Sequence, residues 1–509
     1  MNAIIKRLLL LFCCLLLSVP SMARNKREMR AVWIATVKNI DWPSASGLNA
    51  LEQQQEMIAM LNGFKRLKIN AIFFQIRPCS DSFYKSDLEP LSMYLTGKQG
   101  DTLCYDPLQF VIEEAHKRCI EVHAWMNPYR VAMTADTTTL HPEHLYFKKP
   151  YLFVEYGDKI YFDPGYDETR AFLNKVVADV VTRYDVDAIH FDDYFYPYRV
   201  ANRDFPDSRS FAENPRGFSA AQKDDWRRNN VNLVISELQH TIKSLKPWVE
   251  FGISPFGVWR NNDKDANGSL TKAGMTNYDD LYADILKWLK EGSIDYVVPQ
   301  LYWEIGKKNA DYAVLVDWWN RNAYGKNLYV GLFVSGLGVN RASAWHNGNE
   351  IVRQMLMNEQ FENVQGNAFY SAAPFLKNPK GLLDTLSNKF YRHWAVPPIS
   401  TSLVEKKEAL PPTNLHIQRC ADKLSLVWNA PIDSSKQNPT AYYIVYAFKS
   451  GLPIDKNRAE NICCLTAENS IDIMSIASLK GDYVFGVTAV NRYRKESELI
   501  LIENKSFHF

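Results

Sequence analysis

The sequence predicts a (β/α)8 barrel followed by a small all-β sandwich. Eight short hydrophobic runs each stop at polar or aromatic residues, as buried parallel strands do when they deliver side chains to a cleft. Segments with helical periodicity alternate with these runs, and after residue 412 the periodicity changes to two. The eight runs are Arg30–Thr36, Asn70–Arg77, Glu121–Met126, Ala188–Asp192, Glu250–Ser254, Asp295–Leu301, Leu328–Val334 and Asn367–Ser371.

Helical segments supply the second half of each βα unit. In each segment apolar residues recur at three- and four-residue spacing, which predicts one face packed on a sheet. Strands joined by such helices run parallel, because the helix returns the chain to the same end of the sheet. The clearest helical segments are Leu51–Leu67, Pro107–Arg118, Thr169–Tyr184, Trp226–Leu245 and Tyr278–Lys290.

The chain is long enough for more than one domain. With 509 residues and 46% hydrophobic content it can bury a large core. A polar stretch without periodicity, framed by two Pro-Pro pairs, indicates a boundary between domains. We therefore predict a signal peptide at 1–23, the barrel at 24–394, a linker at 395–412 and the sandwich at 413–509.

The predicted sandwich consists of short runs separated by turn residues. The segment around Trp428 and the runs Tyr442–Tyr446 and Tyr483–Asn491 resemble a fibronectin type III module. That resemblance implies a spacer or a binding platform, and we assign it no chemistry. Strands are expected at Asn414–Gln418, Lys423–Trp428, Ala441–Phe448, Asn469–Ile473 and Gly481–Asn491.

The N-terminus has the pattern of a secretory signal peptide. Lys6 and Arg7 precede the apolar run Leu8–Leu17, and Ser21-Met22-Ala23 forms a small-x-small cleavage site, so we expect cleavage after Ala23. The run is shorter than the ~20 residues that span a bilayer, and no integral membrane segment is expected in the mature chain. A lipoprotein signal, with its cysteine at position 13 or 14, is the alternative. We expect an exported protein of the periplasm or cell envelope, with secretion or a lipid anchor as alternatives.

Composition and motifs exclude several function classes. A formal net charge of +2, with basic residues spread among acidic ones, does not favour a nucleic acid as partner. The loop Asp263–Gly268 resembles the start of an EF-hand, but Gly274 stands where the bidentate Glu would be. Neither a phosphate-binding glycine loop nor a Gly-x-Ser-x-Gly motif occurs. We predict no cofactor and no metal.

Asp192 and Asp193 directly follow the apolar run of the fourth predicted strand. Hydrolysis of a glycosidic bond needs one carboxyl group to protonate the leaving oxygen and a second to stabilise the oxocarbenium ion or activate water. Adjacent strand residues point to opposite faces, so we expect one of the two to face the cleft. Asp192 is favoured, because it shares a face with His190 while Phe191 would pack outward.

Glu304 is the candidate for the second carboxylate. It follows the strand end at Tyr302-Trp303, and desolvation by Trp303 would raise its pKa. The alternative is an ordinary glutamate on a surface loop.

Further candidates for substrate binding lie after other strands, at the end of the barrel where active sites of this fold are assembled. Amide and guanidinium groups there suit hydrogen bonds to sugar hydroxyls or to the acids, and aromatic faces suit pyranose rings. These candidates are Gln75, Arg77, Trp125, Asn127, Tyr129, Arg130, Tyr194, Tyr196, Trp259, Arg260, Gln300, Tyr302 and Trp303.

Seven motifs in order resemble the glycosyl-hydrolase-like family ten, once a domain of unknown function. They lie within residues 27–378: Arg30–Thr36, Asn70–Pro78, Ala124–Arg130, Phe162–Gly165, His190–Tyr194, Ser254–Asn261 and Pro299–Trp303.

The resemblance implies a (β/α)8 glycosidase-like enzyme of the bacterial envelope. Some relatives are similar to muramidases that cut peptidoglycan glycan strands lacking stem peptides. The favoured expectation is therefore an endo-acting, muramidase-like glycoside hydrolase for peptide-free peptidoglycan, with another polysaccharide as second choice. A non-catalytic glycan-binding or scaffold protein of the envelope is the alternative from a different class.

Overall fold

The computed structural model describes residues 26–399, 402, 408–420, 423–433, 439–476, 481–502 and 507–508. The predicted signal peptide lies outside the described residues, as does part of the predicted linker. Within the described residues, no helix combines the length and the apolar character needed to cross a membrane.

Eight parallel strands close into a barrel, which confirms the predicted fold class. In chain order the first eleven strands are β1 (Met29–Ile34), β2 (Ala71–Arg77), β3 (Glu121–Met126), β4 (Arg130–Ala132), β5 (Phe153–Tyr156), β6 (Lys159–Phe162), β7 (Ala188–Phe191), β8 (Glu250–Ile253), β9 (Tyr296–Val297), β10 (Asn327–Phe333) and β11 (Val364–Tyr370). The order around the barrel is β1-β11-β10-β9-β8-β7-β3-β2, so that neighbours in the chain are mostly neighbours in space.

Each of the eight predicted runs overlaps a barrel strand, with shifts of a few residues at the ends. The largest difference is at Asp295–Leu301, where the regular strand is only Tyr296–Val297. Pro299 has no N–H for the ladder, so regular pairing stops before it. Beyond the proline, Gln300 forms isolated parallel bridges with Phe256 and Gly331, which keep this segment in the barrel wall.

Alternate strand residues divide between the barrel lumen and the surrounding shell. Trp33, Phe73 and Tyr296 belong to the lumen cluster, and the ring of His190 stacks on Phe73 at 4.3 Å between centroids. In β7 the neighbours of His190 point outward and pack against the helices. Aromatic and imidazole rings therefore fill the lumen below the carboxyl ends of the strands.

The helices of the barrel follow their strands as predicted, with one exception. The predicted helix Tyr278–Lys290 is two helices, because Tyr282 has a left-handed φ of 51° and the side chain of Asp284 caps a new helix start. The longer helices are Ala50–Arg66, Pro107–His116, Asp167–Arg183, Lys223–Leu245, Ile285–Glu291, Tyr312–Arg321 and Asn349–Asn358, and the shorter ones are Met93–Thr96, Leu145–Lys148, Ser208–Glu213, Asn277–Asp280, Ala372–Leu376 and Leu382–Thr385.

A three-stranded antiparallel sheet, β4-β6-β5, is inserted between β3 and β7 and was not predicted. Its strands have only three or four residues, too few to show an alternating pattern. The hydroxyl of Tyr156 accepts from the backbone N–H of Val200 at 2.8 Å and donates to the carbonyl of Arg203 at 3.0 Å. These two bonds tie the inserted sheet to the loop that follows β7.

Two antiparallel sheets after residue 412 form the predicted sandwich. Trp428, Tyr443 and Phe485 lie in the core between the sheets. The likeness to a fibronectin type III module stays a prediction. The strands are β12 (Thr413–Cys420), β13 (Lys423–Asn429), β14 (Thr440–Lys449), β15 (Ile462–Thr466), β16 (Ser470–Asp472), β17 (Asp482–Asn491), β18 (Ile500–Leu501) and β19 (Phe507–His508).

Candidate active site

Asp192 and Asp193 lie at the mouth of the barrel, immediately after β7. Asp192 continues the lumen face of His190, and Phe191 packs outward against Phe251 with 5.4 Å between ring centroids. The regular strand ends at Phe191, so the alternation of faces no longer separates the two carboxyl groups. They are only 2% and 1% exposed, respectively.

The carboxyl group of Asp192 accepts hydrogen bonds from two fixed donors on one oxygen. Oδ2 accepts from the indole N–H of Trp125 at 3.1 Å and from the side-chain amide of Asn127. Oδ1 accepts only a long bond of 3.4 Å from the backbone N–H of Tyr194. Burial, and then the charge of Asp193, raise the pKa of Asp192 to about 7.

Asp193 is held from the other side of the mouth. Its carboxyl group accepts from the hydroxyl of Tyr198 and, at 3.1 Å, from the side-chain amide of Gln300, which also donates to the carbonyl of Ser254 at 2.9 Å. Burial raises the pKa of Asp193, and these two donors oppose the rise. Two buried carboxyl groups that repel each other favour a state in which one keeps a proton near neutral pH.

Arg130 is a cation whose charge acts on both carboxyl groups, and two of its nitrogens donate to other protein acceptors. Its guanidinium donates to the carbonyl of Pro78 at 2.9 Å and to Oδ1 of Asn127 at 2.8 Å, and it lies over the ring of Tyr194 at 5.3 Å. Arg130 therefore acts on the carboxyl groups through its field rather than through an ion pair.

Arg77 does not reach the mouth. It is unexposed and forms a two-pronged ion pair with Glu89, at 2.7 and 2.6 Å, while donating to the carbonyl oxygens of Asn127 and Pro128. These bonds fix the loop that presents Asn127. Tyr129, in the same loop, is also buried, in the shell outside the lumen. The prediction that Arg77 and Tyr129 bind substrate does not agree with this burial.

A ring of partly exposed aromatic side chains surrounds the carboxyl pair, and we call it the aromatic collar. Tyr194 packs on Tyr198 at 5.2 Å between centroids, and Tyr302 packs on Phe333 at 5.2 Å. Trp303 meets Phe256 edge to face at 5.3 Å. Exposed ring faces above buried acids suit a sugar chain. The collar consists of Tyr194, Tyr198, Phe256, Tyr302, Trp303, Phe333 and Tyr370.

Three predicted substrate-binding residues lie elsewhere. Tyr196 is 1% exposed and packs on Phe205 and Tyr282 at 5.1 and 5.0 Å. Trp259 is buried and stacks on Trp318, and Arg260 pairs with Asp279 and Asp265. Since their ring faces and charges are covered by protein, these residues are not available to a ligand at the mouth.

Glu304 has a different environment from the one expected. Its two oxygens accept from Lys307 at 3.1 Å and from the indole of Trp345 at 3.2 Å. Partial burial raises its pKa, but hydrogen bonds from its own backbone N–H, Lys307 and Trp345 outweigh this and leave the pKa lowered. The expected rise in the pKa of Glu304 was wrong, because its own backbone N–H, then Lys307 and Trp345, stabilise the charged carboxylate.

Asp41 and the collar residues Tyr198, Phe256, Phe333 and Tyr370 are site residues that no sequence pattern predicted. Asp41 accepts from the backbone N–H of Ala35 at 2.8 Å and from the hydroxyl of Ser371 at 2.9 Å. It thereby joins the ends of β1 and β11 beside Tyr370. Tyr194, Tyr196 and Tyr198 are spaced two residues apart, so a regular strand would place all three on one face. In the loop that follows β7, Tyr194 and Tyr198 face the mouth, whereas Tyr196 is buried.

Comparisons with known proteins agree with the motifs. A model of the family described as Glycosyl hydrolase-like 10 matches residues 28–347. Glycosyl hydrolase YngK of Bacillus subtilis (strain 168) is 41% identical over 489 residues, which cover 95% of this chain and 94% of that protein. Glycosyl hydrolase DigH of Escherichia coli (strain K12) is 42% identical over 312 residues, which cover 58% of this chain and 70% of that protein.

One solved structure similar to the chain is the PgaB (BpsB) glycoside hydrolase domain from Bordetella bronchiseptica. It aligns with a TM-score of 0.47 and 12% identity, over 71% of this chain and 98% of that domain, which is too remote to inform on substrate. The family match and the two relatives confirm the family resemblance and make the chain a glycosidase-like protein.

Proposed function

The chain belongs to the glycosyl hydrolase-like family 10, and from that membership we propose that it is an exported, endo-acting glycoside hydrolase. Its favoured substrate is the peptide-free glycan strand of peptidoglycan, and another polysaccharide is the second choice. The proposed location is the periplasm or cell envelope.

The observation that carries the proposal is the buried pair Asp192 and Asp193 under the aromatic collar. An acid whose pKa is near 7 keeps its proton long enough to give it to a leaving group at neutral pH. Asp193 accepts two hydrogen bonds from Tyr198 and Gln300, which stabilise it as the charged partner. Acid and carboxylate side by side are the groups that glycosidic hydrolysis requires.

In the proposed reaction Asp192 is the general acid. It donates its proton to the glycosidic oxygen as the bond from that oxygen to the anomeric carbon breaks. Asp193 stabilises the positive charge that develops on the sugar, directly or by activating a water molecule. Water then supplies a hydroxyl to the anomeric carbon and a proton to the carboxyl pair, which restores the starting state.

Peptidoglycan as the substrate rests on the family resemblance, and export of the chain rests on the predicted N-terminal signal peptide. The site itself supports the coarser part of the proposal. The aromatic collar offers flat faces, and Arg130, whose charge acts on the acid pair, already donates to two protein acceptors. A glycan bound mainly by stacking and by hydrogen bonds suits such a cleft.

The test is digestion of purified peptide-free glycan strands and of intact sacculi by residues 24–509, with products identified by mass spectrometry. The Asp192→Asn and Asp193→Asn variants should release no short muro-oligosaccharides, while Asp158→Asn, at an exposed hairpin tip, should match the wild type.

Absence of products from both substrates, with turnover of another glycan, would replace peptidoglycan by that glycan. If a broad glycan panel were untouched while binding persisted, the protein would be a non-catalytic glycan binder instead.

A further inference from the structure

Gln75 lies at the carboxyl end of β2, is unexposed and touches neither carboxyl group of the pair. Its side-chain oxygen accepts from two backbone N–H groups, that of Thr36 at 2.9 Å and that of Val37 at 3.0 Å. A backbone N–H can only donate, so the end of the Gln75 amide that faces them must be the oxygen. The amide of Gln75 therefore has one possible orientation.

That orientation determines the next amide. The NH2 group of Gln75 points at Asn127 and donates to its Oδ1 at 2.7 Å, where Arg130 donates as well at 2.8 Å. With two donors on its oxygen, Asn127 must turn its NH2 group toward Asp192. The directions of the hydrogen bonds in this amide chain are thus set by two groups of obligate donors, the backbone N–H groups after β1, which act through Gln75, and the guanidinium of Arg130.

We propose that Gln75 is a positioning residue that fixes the polarity of this amide chain, so that Oδ2 of Asp192 always accepts and Oδ1 is the oxygen that carries the acidic proton. Oδ2 faces the N–H groups of Asn127 and Trp125, neither of which can accept a proton. The assignment of Oδ1 as the proton donor to substrate rests on the proposed function. The polarity of the amide chain follows from the hydrogen bonds alone.

Other groups also act on the protonation of Asp192. The charged groups near it are Asp193 and Arg130, and the titratable hydroxyls whose interactions include it are those of Tyr194, Tyr198, Tyr302 and Tyr370. In the described structure none of these side chains hydrogen-bonds to Gln75, whose side chain contacts Thr36, Val37 and Asn127. A shift caused through Asn127 can therefore be separated from their background.

The test is the titration of Asp192 in 13C-aspartate-labelled protein, followed by NMR of the carboxyl carbon whose signal disappears in Asp192→Asn. Gln75→Glu keeps the acceptor for Thr36 and Val37 but replaces the donor to Asn127 by a carboxylate oxygen. That acceptor opposes Arg130 and favours turning of the Asn127 amide, with its NH2 group toward position 75 and its oxygen toward Asp192. We expect the midpoint to rise by about one pH unit or more.

The control for charge is the same substitution in the Asn127→Leu background. There the amide chain is interrupted, so Gln75→Glu should shift the titration midpoint of Asp192 by well under half of the shift that it causes in the otherwise wild-type protein. An equal shift in both backgrounds would overturn the proposal, because it would reflect only the added charge. No shift in either background would overturn it as well.

The control for a buried substitution is Gln53→Glu. Gln53 is also unexposed, donates to the carbonyls of Leu48 and Leu95, and lies away from the pair. It should lower stability without moving the titration. If Gln75→Glu does not fold, Gln75→Met gives the same test without a charge, with a smaller upward shift expected and an unchanged midpoint contradicting the proposal.

Hydrolysis is read in parallel. If the wild type cleaves glycans, the alkaline limb of its pH profile should move upward in Gln75→Glu together with the NMR midpoint. If no glycan is cleaved but the midpoint of Asp192 still shifts in a way that depends on Asn127, the proposed function is wrong and the role of Gln75 in the amide chain is retained.

Discussion

Arg494 of the sandwich forms a buried two-pronged ion pair with Glu121, the first residue of barrel strand β3. The two bonds, from Nε to Oε1 and from a terminal nitrogen to Oε2, are 2.8 and 2.6 Å long. The other terminal nitrogen lies 2.6 Å from Oε2 of Glu250, at the start of β8. One cation from the sandwich thus contacts two buried carboxyl groups at the amino end of the barrel, opposite the mouth. Arg494 lowers the pKa of Glu121, whereas burial leaves the pKa of Glu250 raised.

Arg494→Met should destabilise the full chain by about 3–5 kcal/mol, because it leaves the carboxylate of Glu121 buried without its counter-charge. The free energy of unfolding in urea, compared with that of the wild type, measures this. Arg321→Met is the control, since the Arg321 side chain is 65% exposed and pairs only with a neighbour on its own helix. A loss no larger than that of the control would mean that the sandwich does not stabilise the barrel in this way.

Most of the fold could be predicted, because each buried parallel strand is an apolar run and each helix keeps one apolar face. The inserted sheet could not, since β4, β5 and β6 are too short to have a period. The contact between the sandwich and the amino end of the barrel could not be predicted either. Arg494 sits in a turn 373 positions from Glu121, and no local pattern relates the two residues.

The acids of the candidate site could be predicted, but the roles of their neighbours could not. Asp192 follows a strand end, and that position alone placed it at the mouth. Arg77 follows a strand end too, yet Glu89 of the next loop takes up its charge. Whether a polar side chain faces the cleft or braces a loop depends on partners that only the folded chain brings together.

Asp192→Asn should stabilise the protein, and more so at higher pH. The folded-state pKa of about 7 exceeds the ordinary value of 3.8, so the stability linked to this proton is present below pH 3.8 and lost as the pH rises to about 7. Asparagine is neutral throughout and can still accept from Trp125 and Asn127. We expect a gain of about 1–3 kcal/mol at pH 8 and little gain at pH 4.

Thermal unfolding of wild type and variant at both pH values measures this difference. Asp158→Asn, at the exposed hairpin tip, should show no such dependence on pH. An equal gain for Asp192→Asn at pH 4 and pH 8 would show that Asp192 is not protonated in the folded protein near neutral pH.

The pH profile of hydrolysis should fall on the alkaline side near pH 7. Asp192 acts as the acid in the proposed reaction, so kcat/KM declines about tenfold per pH unit once its proton is lost. Initial rates on soluble glycan fragments between pH 4 and pH 9 give the profile. A rate that keeps rising above pH 8 would assign Asp192 the role of base or nucleophile instead.

Tyr198→Phe should move the acidic limb of the same profile upward. The hydroxyl of Tyr198 donates to Asp193 and opposes the rise in its pKa that burial causes, so its loss raises that pKa further. We expect a shift of about half a pH unit or more. Tyr194→Phe is the matched control, because the described structure gives its hydroxyl no hydrogen bond to either carboxyl group. Equal profiles for both variants would contradict the assigned role of Asp193.

Glu304→Gln should leave kcat/KM within about threefold of the wild type, whereas Asp193→Asn should lower it by about 10²-fold or more. Glu304 is held charged by Lys307 and Trp345, with its pKa lowered, so it has no proton to give at neutral pH. Both carboxylates follow barrel strands and both substitutions replace a carboxylate by its amide, which makes the two variants a matched pair. Steady-state kinetics on one glycan, with circular dichroism to verify folding, decides between them. If Glu304→Gln lost as much activity as Asp193→Asn, Glu304 would be the second carboxylate of the reaction, and the buried neighbour of Asp192 would be a structural acid.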